Sequence, residues 1–227
     1  MLDTHDALPL AVGYAGWKRV LDCVGAVGLL VVTLPVSLCV LVLLAITQGM
    51  PIWFCQRRVG RHGRPFTMWK FRTMTAGSHT RLPALPVASV RQDPRVTPVG
   101  HWLRRYGLDE LPQFLNILRG EMSLVGPRPL PEDDLAHPGW LEQVDEAERV
   151  RRSAWFTRRH QVPPGLTGLW QISRQPEEDF ENWIACDLAY VERCGFGLDL
   201  QILLQTPSAL LRGRLHPSTT RDECGII

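Results

Sequence analysis

Two carboxylates stand side by side in the segment GLDELPQ, residues 107–113, where Asp109 and Glu110 are flanked by leucines. Because Pro112 and apolar residues at helical spacing follow, we predict that Asp109 caps a helix and that Pro112 is its third residue. At such a start one residue still has extended geometry, so both carboxylates can reach one point and hold Mg²⁺ together with substrate phosphates. The alternative is a helix cap without chemistry, which this motif alone favours.

The predicted helix has one apolar face and a defined end. Leu111, Phe114, Leu115 and Leu118 recur at i, i+3, i+4 and i+7, which is typical of one face of a helix. Gly120 follows and is predicted to end the helix. The helix would thus place the acid pair at its N-terminus, where its free N–H groups and dipole favour a phosphate.

A single arginine, Arg128, lies between two prolines in the segment GPRP, residues 126–129. A backbone fixed on both sides presents the guanidinium with little loss of entropy, and a guanidinium can bind phosphate through two hydrogen bonds. Arg128 is therefore a candidate phosphate ligand. The alternative is a turn with an exposed arginine.

Basic residues without acidic neighbours fill a long segment before the acid pair. No Asp or Glu occurs between Asp22 and Asp93. The basic residues of that interval include Arg57, Arg58, Arg61, Arg64, Lys70, Arg72, Arg81 and Arg91. A block of one sign predicts an anionic partner, which can be a membrane surface, phosphates or nucleic acid.

Part of this block is predicted to form a β-hairpin, within residues 48–74, because strand-forming residues there are punctuated by glycines. Arg58, Lys70 and Arg72 are its candidate ligands for a substrate phosphate. The alternative is a solvated hairpin with a charged face.

An apolar run with a central proline occupies residues 20–46. Its length is sufficient to cross a membrane, and neither a signal peptide nor a buried core helix fits it well. A spanning helix and a re-entrant helix that breaks at Pro35 remain as alternatives. Basic residues flank the run on both sides, Lys18 and Arg19 before it and an arginine cluster after it. Since basic residues stay on the cytoplasmic side, we favour a re-entrant helix.

The remaining segments complete an α+β prediction, a monotopic membrane protein with a small, mostly helical catalytic domain. We predict tails at residues 1–17 and 213–227, a membrane helix at 18–47 and a catalytic domain at 48–212. Within that domain we predict a mobile loop and three helices, at residues 75–93 and at residues 138–160, 180–191 and 198–211. The six cysteines and seven histidines have neither disulfide nor metal-site spacing.

Read in order, these segments resemble one family, the bacterial sugar transferases, which are monotopic phosphoglycosyl transferases. The resemblance is carried by KRVLDCV, the proline-containing apolar run, QRRVGRHGRPFTMWKFRTM, GLDELPQFLNILRGEMSLVGPRP, PPGLTGLWQIS and FENWIACDLAYV. It covers roughly residues 18–212, and the smaller members of the family consist of little more than this module.

The resemblance implies an enzyme that transfers a phospho-sugar from a UDP-sugar to undecaprenyl phosphate and releases UMP, using Mg²⁺. It implies that Asp109 is the nucleophile that forms a covalent phosphosugar intermediate, and that Glu110 helps to bind metal and to move a proton. It also implies that Arg128 holds a nucleotide phosphate. The expected location is the cytoplasmic face of the bacterial inner membrane, in a glycan pathway with downstream glycosyltransferases.

One motif departs from the family pattern. Members often read QVSGR after the GLTG segment, whereas this chain reads QISRQ, so that Arg174 stands one position early and Gln175 occupies the place of the arginine. Arg174 is kept as a candidate phosphate ligand.

Two other functions are weighed against the enzyme. A membrane-bound scaffold without catalysis is disfavoured by the intact acid pair. A nucleic-acid binder is disfavoured because the chain has neither a base-stacking module nor a helix-turn-helix motif.

Overall fold

The computed structural model describes residues 12–77, 93–132, 145–173 and 180–211. The helices are Val12–Gln48 (α1), Pro98–Arg105 (α2), Gln113–Arg119 (α3), Glu146–Arg159 (α4), Leu169–Ile172 (α5), Phe180–Arg193 (α6) and Phe196–Leu211 (α7). The strands are Trp53–Val59 (β1), Pro65–Phe71 (β2), Ser123–Val125 (β3), Leu130–Pro131 (β4) and Gly165–Thr167 (β5). This mixture confirms the predicted α+β class, and α4, α6 and α7 confirm the helices predicted in the second half.

The predicted β-hairpin is confirmed. Strands β1 and β2 pair antiparallel, with Trp53 opposite Phe71, and β4 joins the other edge of β1. Between the strands, His62 and Gly63 have positive φ angles of 57° and 74°, which reverse the chain direction. A second small sheet pairs β3 with β5 in parallel.

Helix α1 continues through Pro35. Its 37 residues correspond to roughly 55 Å at about 1.5 Å per residue, and it is long and apolar enough to cross a membrane by length and composition. The predicted break at Pro35 is not seen, and a helix can accommodate a proline at the loss of few backbone hydrogen bonds. The re-entrant course therefore stays a prediction.

Both ends of α1 pack against the rest of the protein. Near its start Ala26 is fully buried, and near its end Val40 and Leu44 are buried with Phe71 of β2, whereas Val32 in the middle is 74% exposed. The predicted catalytic domain therefore contacts both halves of the apolar helix.

A buried polar network fixes the first half of α1. Lys18 Nζ lies 2.5 Å from Asp199 Oδ2 on α7 and donates to the Val125 carbonyl of β3. Arg19 donates to the carbonyls of Ile117 and Leu118 at the end of α3. These contacts connect α1 to α7, to β3, which precedes the GPRP turn, and to α3, which follows the acid pair.

Three apolar clusters form the core. The largest lies between α1, β2, α3, α6 and α7 and includes Phe114, Ile117 and Met122. A third, smaller cluster contains Leu130, Trp155 and Ile184. The N-terminal tail predicted at residues 1–17 is wrong for residues 12–17, which belong to α1. The rest of that tail, the tail at residues 213–227, most of the predicted loop at residues 75–93 and the start of the predicted 138–160 helix lie outside the described residues.

Candidate functional site

The acid pair lies in a short 3₁₀ turn, Leu108–Glu110, and not at the start of a helix. Gly107 has a left-handed conformation with φ 66° and leads the chain into this turn. Helix α3 begins four residues after Asp109, and Pro112 is the residue that precedes it. The predictions that Asp109 caps a helix and that Pro112 is its third residue are therefore wrong, because the glycine introduces a separate turn.

The apolar face predicted for α3 is also partly wrong. Leu115 is 41% exposed, whereas Ile117 is fully buried. Asn116 explains the orientation, since its buried amide donates to the Thr67 carbonyl and accepts from the Trp69 N–H of β2. These bonds fix α3 against the hairpin and bring the acid pair next to Lys70. As predicted, the helix ends at Gly120, in a left-handed conformation.

Asp109 is a buried carboxylate that the protein does not neutralise by direct contact. It is only 5% exposed, and its Oδ1 has no hydrogen-bond partner among the described residues. Burial raises the pKa of Asp109 above its usual range, and the charge of Lys70 opposes that effect. Glu110 raises this pKa further, while Arg104 and Arg128 lower it. Asp109 is thus acted on by the charges of Lys70, Arg104 and Arg128, and its Oδ1 is unpaired among the described residues.

Glu110 is paired with two of those cations. Its Oε1 lies 2.6 Å from Lys70 Nζ and 3.9 Å from Arg128 Nη2. Because Lys70 lies on β2 and Arg128 lies in the GPRP turn, Glu110 connects the hairpin to the turn. The structure therefore brings together four predicted site residues, Asp109, Glu110, Lys70 and Arg128.

A cleft of about 210 Å³, a volume that includes space open to solvent, lies beside Lys70, Glu110 and Arg128, and Asp109 is next to it in the chain but is not one of its lining residues. Its lining consists of Arg58, Met68, Lys70, Glu110, Gln113, Arg128, Pro129, Gly165 and Leu166. Arg58, also predicted as a phosphate ligand, donates to the Pro129 carbonyl and to Gln56 Oε1. A polyanion in this cleft would meet three cationic side chains.

Two predicted phosphate ligands are not part of this arrangement. Arg72 does not line the cleft; it is buried and donates to the carbonyls of Gln48 and Gly49 at the end of α1. Arg174 lies outside the described residues.

Two residues that sequence reasoning missed also belong to the site. Arg104 of α2 donates to Thr73 Oγ1, and burial lowers its pKa while Asp109 opposes that effect. Gln113 is 2% exposed and lines the cleft, and its Nε2 has no partner within the described part of the chain. Neither residue stands out in the sequence, because Arg104 is one of two adjacent arginines and Gln113 is an ordinary polar residue near a helix start.

The backbone of the GPRP turn lies directly against the backbone of residues 163–168, the segment that contains β5. A Cβ added to Gly126 would lie 2.4 Å from the Pro163 carbonyl oxygen, and one added to Gly165 would lie 2.0 Å from Gly126 N. Gly126 N donates to the Thr167 carbonyl at 2.9 Å. Only glycine allows this approach, which brings both segments to the cleft.

The acid pair has the chemistry of a partial magnesium site. Mg²⁺ usually takes one or two carboxylates together with substrate phosphates, and Asp109 Oδ1 is an unpaired oxygen of this kind. Among the described residues no cluster of three His, Cys, Asp or Glu side chains forms a metal site. A magnesium ion held by Asp109 and Glu110, with its remaining ligands from substrate and water, therefore stays a prediction.

Known proteins resemble this chain over most of its length. A family model described as bacterial sugar transferase matches residues 13–213. The sugar transferase EpsL of Bacillus subtilis is 38% identical over 194 residues, which are 86% of this chain and 87% of EpsL. The exopolysaccharide production protein ExoY of Sinorhizobium fredii is 39% identical over 209 residues, which are 87% of this chain and 86% of ExoY.

Longer proteins match with only part of their length. The UDP-glucose:undecaprenyl-phosphate glucose-1-phosphate transferase of Escherichia coli is 35% identical over 194 residues, which are 83% of this chain and 39% of that protein. The resemblance seen in the sequence motifs is confirmed by these matches: the chain belongs to the bacterial sugar transferase family.

Proposed function

We propose that this protein transfers a phospho-sugar from a UDP-sugar to undecaprenyl phosphate and releases UMP, as the first step in building an exopolysaccharide, capsule or related glycan. The observation that carries the proposal is Asp109, a buried carboxylate near three cations whose Oδ1 has no hydrogen-bond partner in the described part of the chain. Relatives named undecaprenyl-phosphate galactose phosphotransferase in Salmonella typhimurium and galactosyl transferase CpsE in Streptococcus agalactiae support the substrate class.

In the first half of the reaction, a carboxylate oxygen of Asp109 attacks the phosphorus that carries the sugar. The bond from that phosphorus to the UMP oxygen breaks, so UMP leaves and the phospho-sugar stays on Asp109 as an acyl phosphate. Lys70, Arg58 and Arg128 offset the negative charge that would otherwise repel an anionic nucleophile.

In the second half, an oxygen of undecaprenyl phosphate attacks the same phosphorus, and the bond to Asp109 breaks. This restores the carboxylate and releases the lipid-linked sugar diphosphate. Glu110 is adjacent to the reacting carboxylate and is placed to accept a proton from a protonated acceptor phosphate. Its contact with Lys70 at 2.6 Å orients the carboxylate for that role.

Mg²⁺ fits this site as a cofactor held by Asp109, Glu110 and substrate phosphates. When bound, it would supply further neutralisation of the diphosphate charge. The cationic side chains of the cleft remain responsible for orienting the donor.

We also propose that α1 is re-entrant and keeps the catalytic residues at the cytoplasmic face of the inner membrane. Both of its ends contact the same body: Arg19 donates to carbonyls at the end of α3, and Gln48 Nε2 donates to Thr97 Oγ1 at the start of α2. A helix that crossed the membrane would carry one end away from that body. The basic residues on both flanks support the same side for both ends.

The function is tested with purified protein, Mg²⁺, polyprenyl phosphate and a panel of UDP-sugars that includes UDP-glucose and UDP-galactose. We expect UMP release with at least one donor, and we expect Asp109→Asn to lower it by about 10³-fold or more because the nucleophile is lost. Glu192→Gln, an exposed acid on α6, serves as the control and should keep wild-type turnover. Unchanged turnover in Asp109→Asn would contradict the proposal.

The membrane course is tested by cysteine labelling. Trp17 and Met50 are 70% and 74% exposed and lie at the two ends of α1. In a variant without native cysteines, Trp17→Cys and Met50→Cys should both resist an impermeant maleimide in intact cells and react after permeabilisation. Labelling of Trp17→Cys from outside would establish a spanning helix.

A further inference from the structure

The two prolines that flank Arg128 lack an N–H, so neither can donate a backbone hydrogen bond within the turn. Instead, three successive carbonyls of the turn each accept a hydrogen bond from a different element. The bonds are Gly165 N to Pro127 O at 2.9 Å, Arg159 Nη2 to Arg128 O at 2.5 Å and Arg58 Nη1 to Pro129 O at 2.7 Å. The carbonyl of Arg128 itself is thus held by a side chain from the end of α4.

Arg159 is a buried cation with a buried counter-charge. It is 2% exposed, and its Nε lies 2.9 Å from Asp187 Oδ2 on α6, which is also 2% exposed. Burial raises the pKa of Asp187 to about 6, and the charge of Arg159 opposes that effect. Without that carboxylate the guanidinium would be a lone charge away from water, so the two residues act together.

The guanidinium of Arg159 divides its nitrogen atoms between two partners. A two-pronged contact with Asp187 would be the stronger arrangement for a purely structural pair. Here Nε faces Asp187 while Nη2 reaches the Arg128 carbonyl. The pair is therefore built to hold the turn as well as to join α4 to α6.

Arg159 also contacts the aromatic rings that carry the Arg128 side chain. Its guanidinium lies 4.7 Å from the ring centroid of Trp155 and 5.6 Å from that of Trp183. Trp183 packs on Trp170 at 5.9 Å, and the Arg128 guanidinium lies over Trp170 at 4.9 Å. Arg159 is thus connected to Arg128 twice, through the backbone carbonyl and through the neighbouring indoles of Trp183 and Trp170.

We propose that Arg159, with Asp187 as its counter-charge, is a positioning residue that fixes the backbone and the aromatic support of Arg128 so that its guanidinium faces the cleft and binds the diphosphate of the donor. This inference rests on the proposed function. It gives a role to the contact between α4 and α6 and to the neighbouring indoles of Trp155, Trp183 and Trp170.

A double-mutant cycle in the full-length protein tests the inference. Arg159→Lys keeps a charge beside Asp187 but cannot reach both partners. We expect it to weaken UDP binding, measured by titration calorimetry with Mg²⁺, by about tenfold, and to raise the donor KM with a smaller effect on kcat. In an Arg128→Ala background the same change should alter UDP affinity less than about twofold, because the positioned group is gone. Arg158→Lys, the neighbouring residue that faces Glu192 on α6 while exposed, is the matched control and should leave UDP affinity unchanged.

The possible results separate this inference from the function on which it rests. Effects of Arg159→Lys and Arg128→Ala that multiply, or an unchanged UDP affinity in folded Arg159→Lys, would overturn the positioning role alone. An unchanged UDP affinity in Arg128→Ala would overturn the phosphate-binding role of Arg128 and this inference with it. If Arg159→Lys does not fold, the double variant Arg159→Met with Asp187→Leu removes both buried charges together, and with them the hydrogen bond to the Arg128 carbonyl. It should show the same loss and the same lack of additivity, and full additivity would again overturn the role.

Discussion

Asp109 and Asp187 are both buried aspartates whose pKa is raised by burial, yet their surroundings differ in one respect. Neither Asp187 Oδ2 nor Asp109 Oδ1 has an aligned hydrogen-bond partner among the described residues. Asp187 Oδ2 nevertheless lies 2.9 Å from the cationic Arg159 Nε, whereas no ion pair within the described part of the chain includes Asp109 Oδ1. Cations act on Asp109 through their charge, without contacting that oxygen. Burial alone therefore does not distinguish the two aspartates; the close cation beside Asp187 does, and its absence beside Asp109 among the described residues agrees with the nucleophile that we propose.

The difference has an energetic meaning. A buried charge with a close partner is offset, while a buried charge whose oxygen is unpaired costs stability. Removing Asp187 would therefore leave the buried guanidinium of Arg159 without its counter-charge, whereas removing the charge of Asp109 would relieve a buried carboxylate that has no close cation among the described residues.

The largest expected effect on the fold comes from Asp187. Asp187→Asn leaves Arg159 buried without its counter-charge, and we expect the free energy of unfolding to fall by about 3–5 kcal/mol. Denaturant titration monitored by circular dichroism measures this, with Glu192→Gln as an exposed control on the same helix that should change it by less than about 0.5 kcal/mol. A loss no greater than that of the control would show that the pair does not hold α4 to α6.

Asp109→Asn should act in the opposite direction. A carboxyl whose pKa is raised in the folded state gives stability that is complete below its unfolded pKa and is lost as the pH rises through its folded pKa. Removing that carboxyl should therefore raise the melting temperature at neutral pH, and the gain should shrink as the pH is lowered toward 4. A melting temperature that falls at neutral pH would mean that Asp109 is stabilising, and the contrast with Asp187 would be lost.

The smallest expected effect concerns Lys70, whose charge lowers the pKa of Asp109. Lys70→Met removes that charge, so Asp109 should hold its proton to a higher pH. The acid limb of the pH profile of kcat/KM for UMP release should then move to higher pH. Arg72→Met removes a nearby positive charge that does not line the cleft, and it should reduce stability without moving that limb.

The sequence predicted those parts of the molecule that depend on neighbouring residues. The hairpin, the end of α3 at Gly120 and the course of α6 and α7 follow from local spacing and turn residues. The start of α3 was placed too early, because the left-handed Gly107 inserts a 3₁₀ turn that no apolar periodicity announces. Leu115 was assigned to the buried face for a related reason, since Asn116 and its bonds to β2 set the orientation of the helix.

The candidate site, too, was predicted only where its residues belong to local sequence motifs. Arg128 and the acid pair belong to motifs, and the structure brings them together. Arg72 was included on charge alone, and its hydrogen bonds to the end of α1 depend on tertiary packing. The contact between Arg159 and Asp187 joins two helices far apart in the chain, so no local pattern could reveal it.

The most direct test of the central claim is the mass of the intact protein after incubation with a turned-over UDP-sugar and Mg²⁺ in the absence of acceptor. We predict an increase equal to one phospho-sugar, located by peptide mapping to Asp109, absent from Asp109→Asn and removed by adding polyprenyl phosphate. An unchanged mass during UMP release, or an adduct on another residue, would contradict the assignment of Asp109 as the nucleophile.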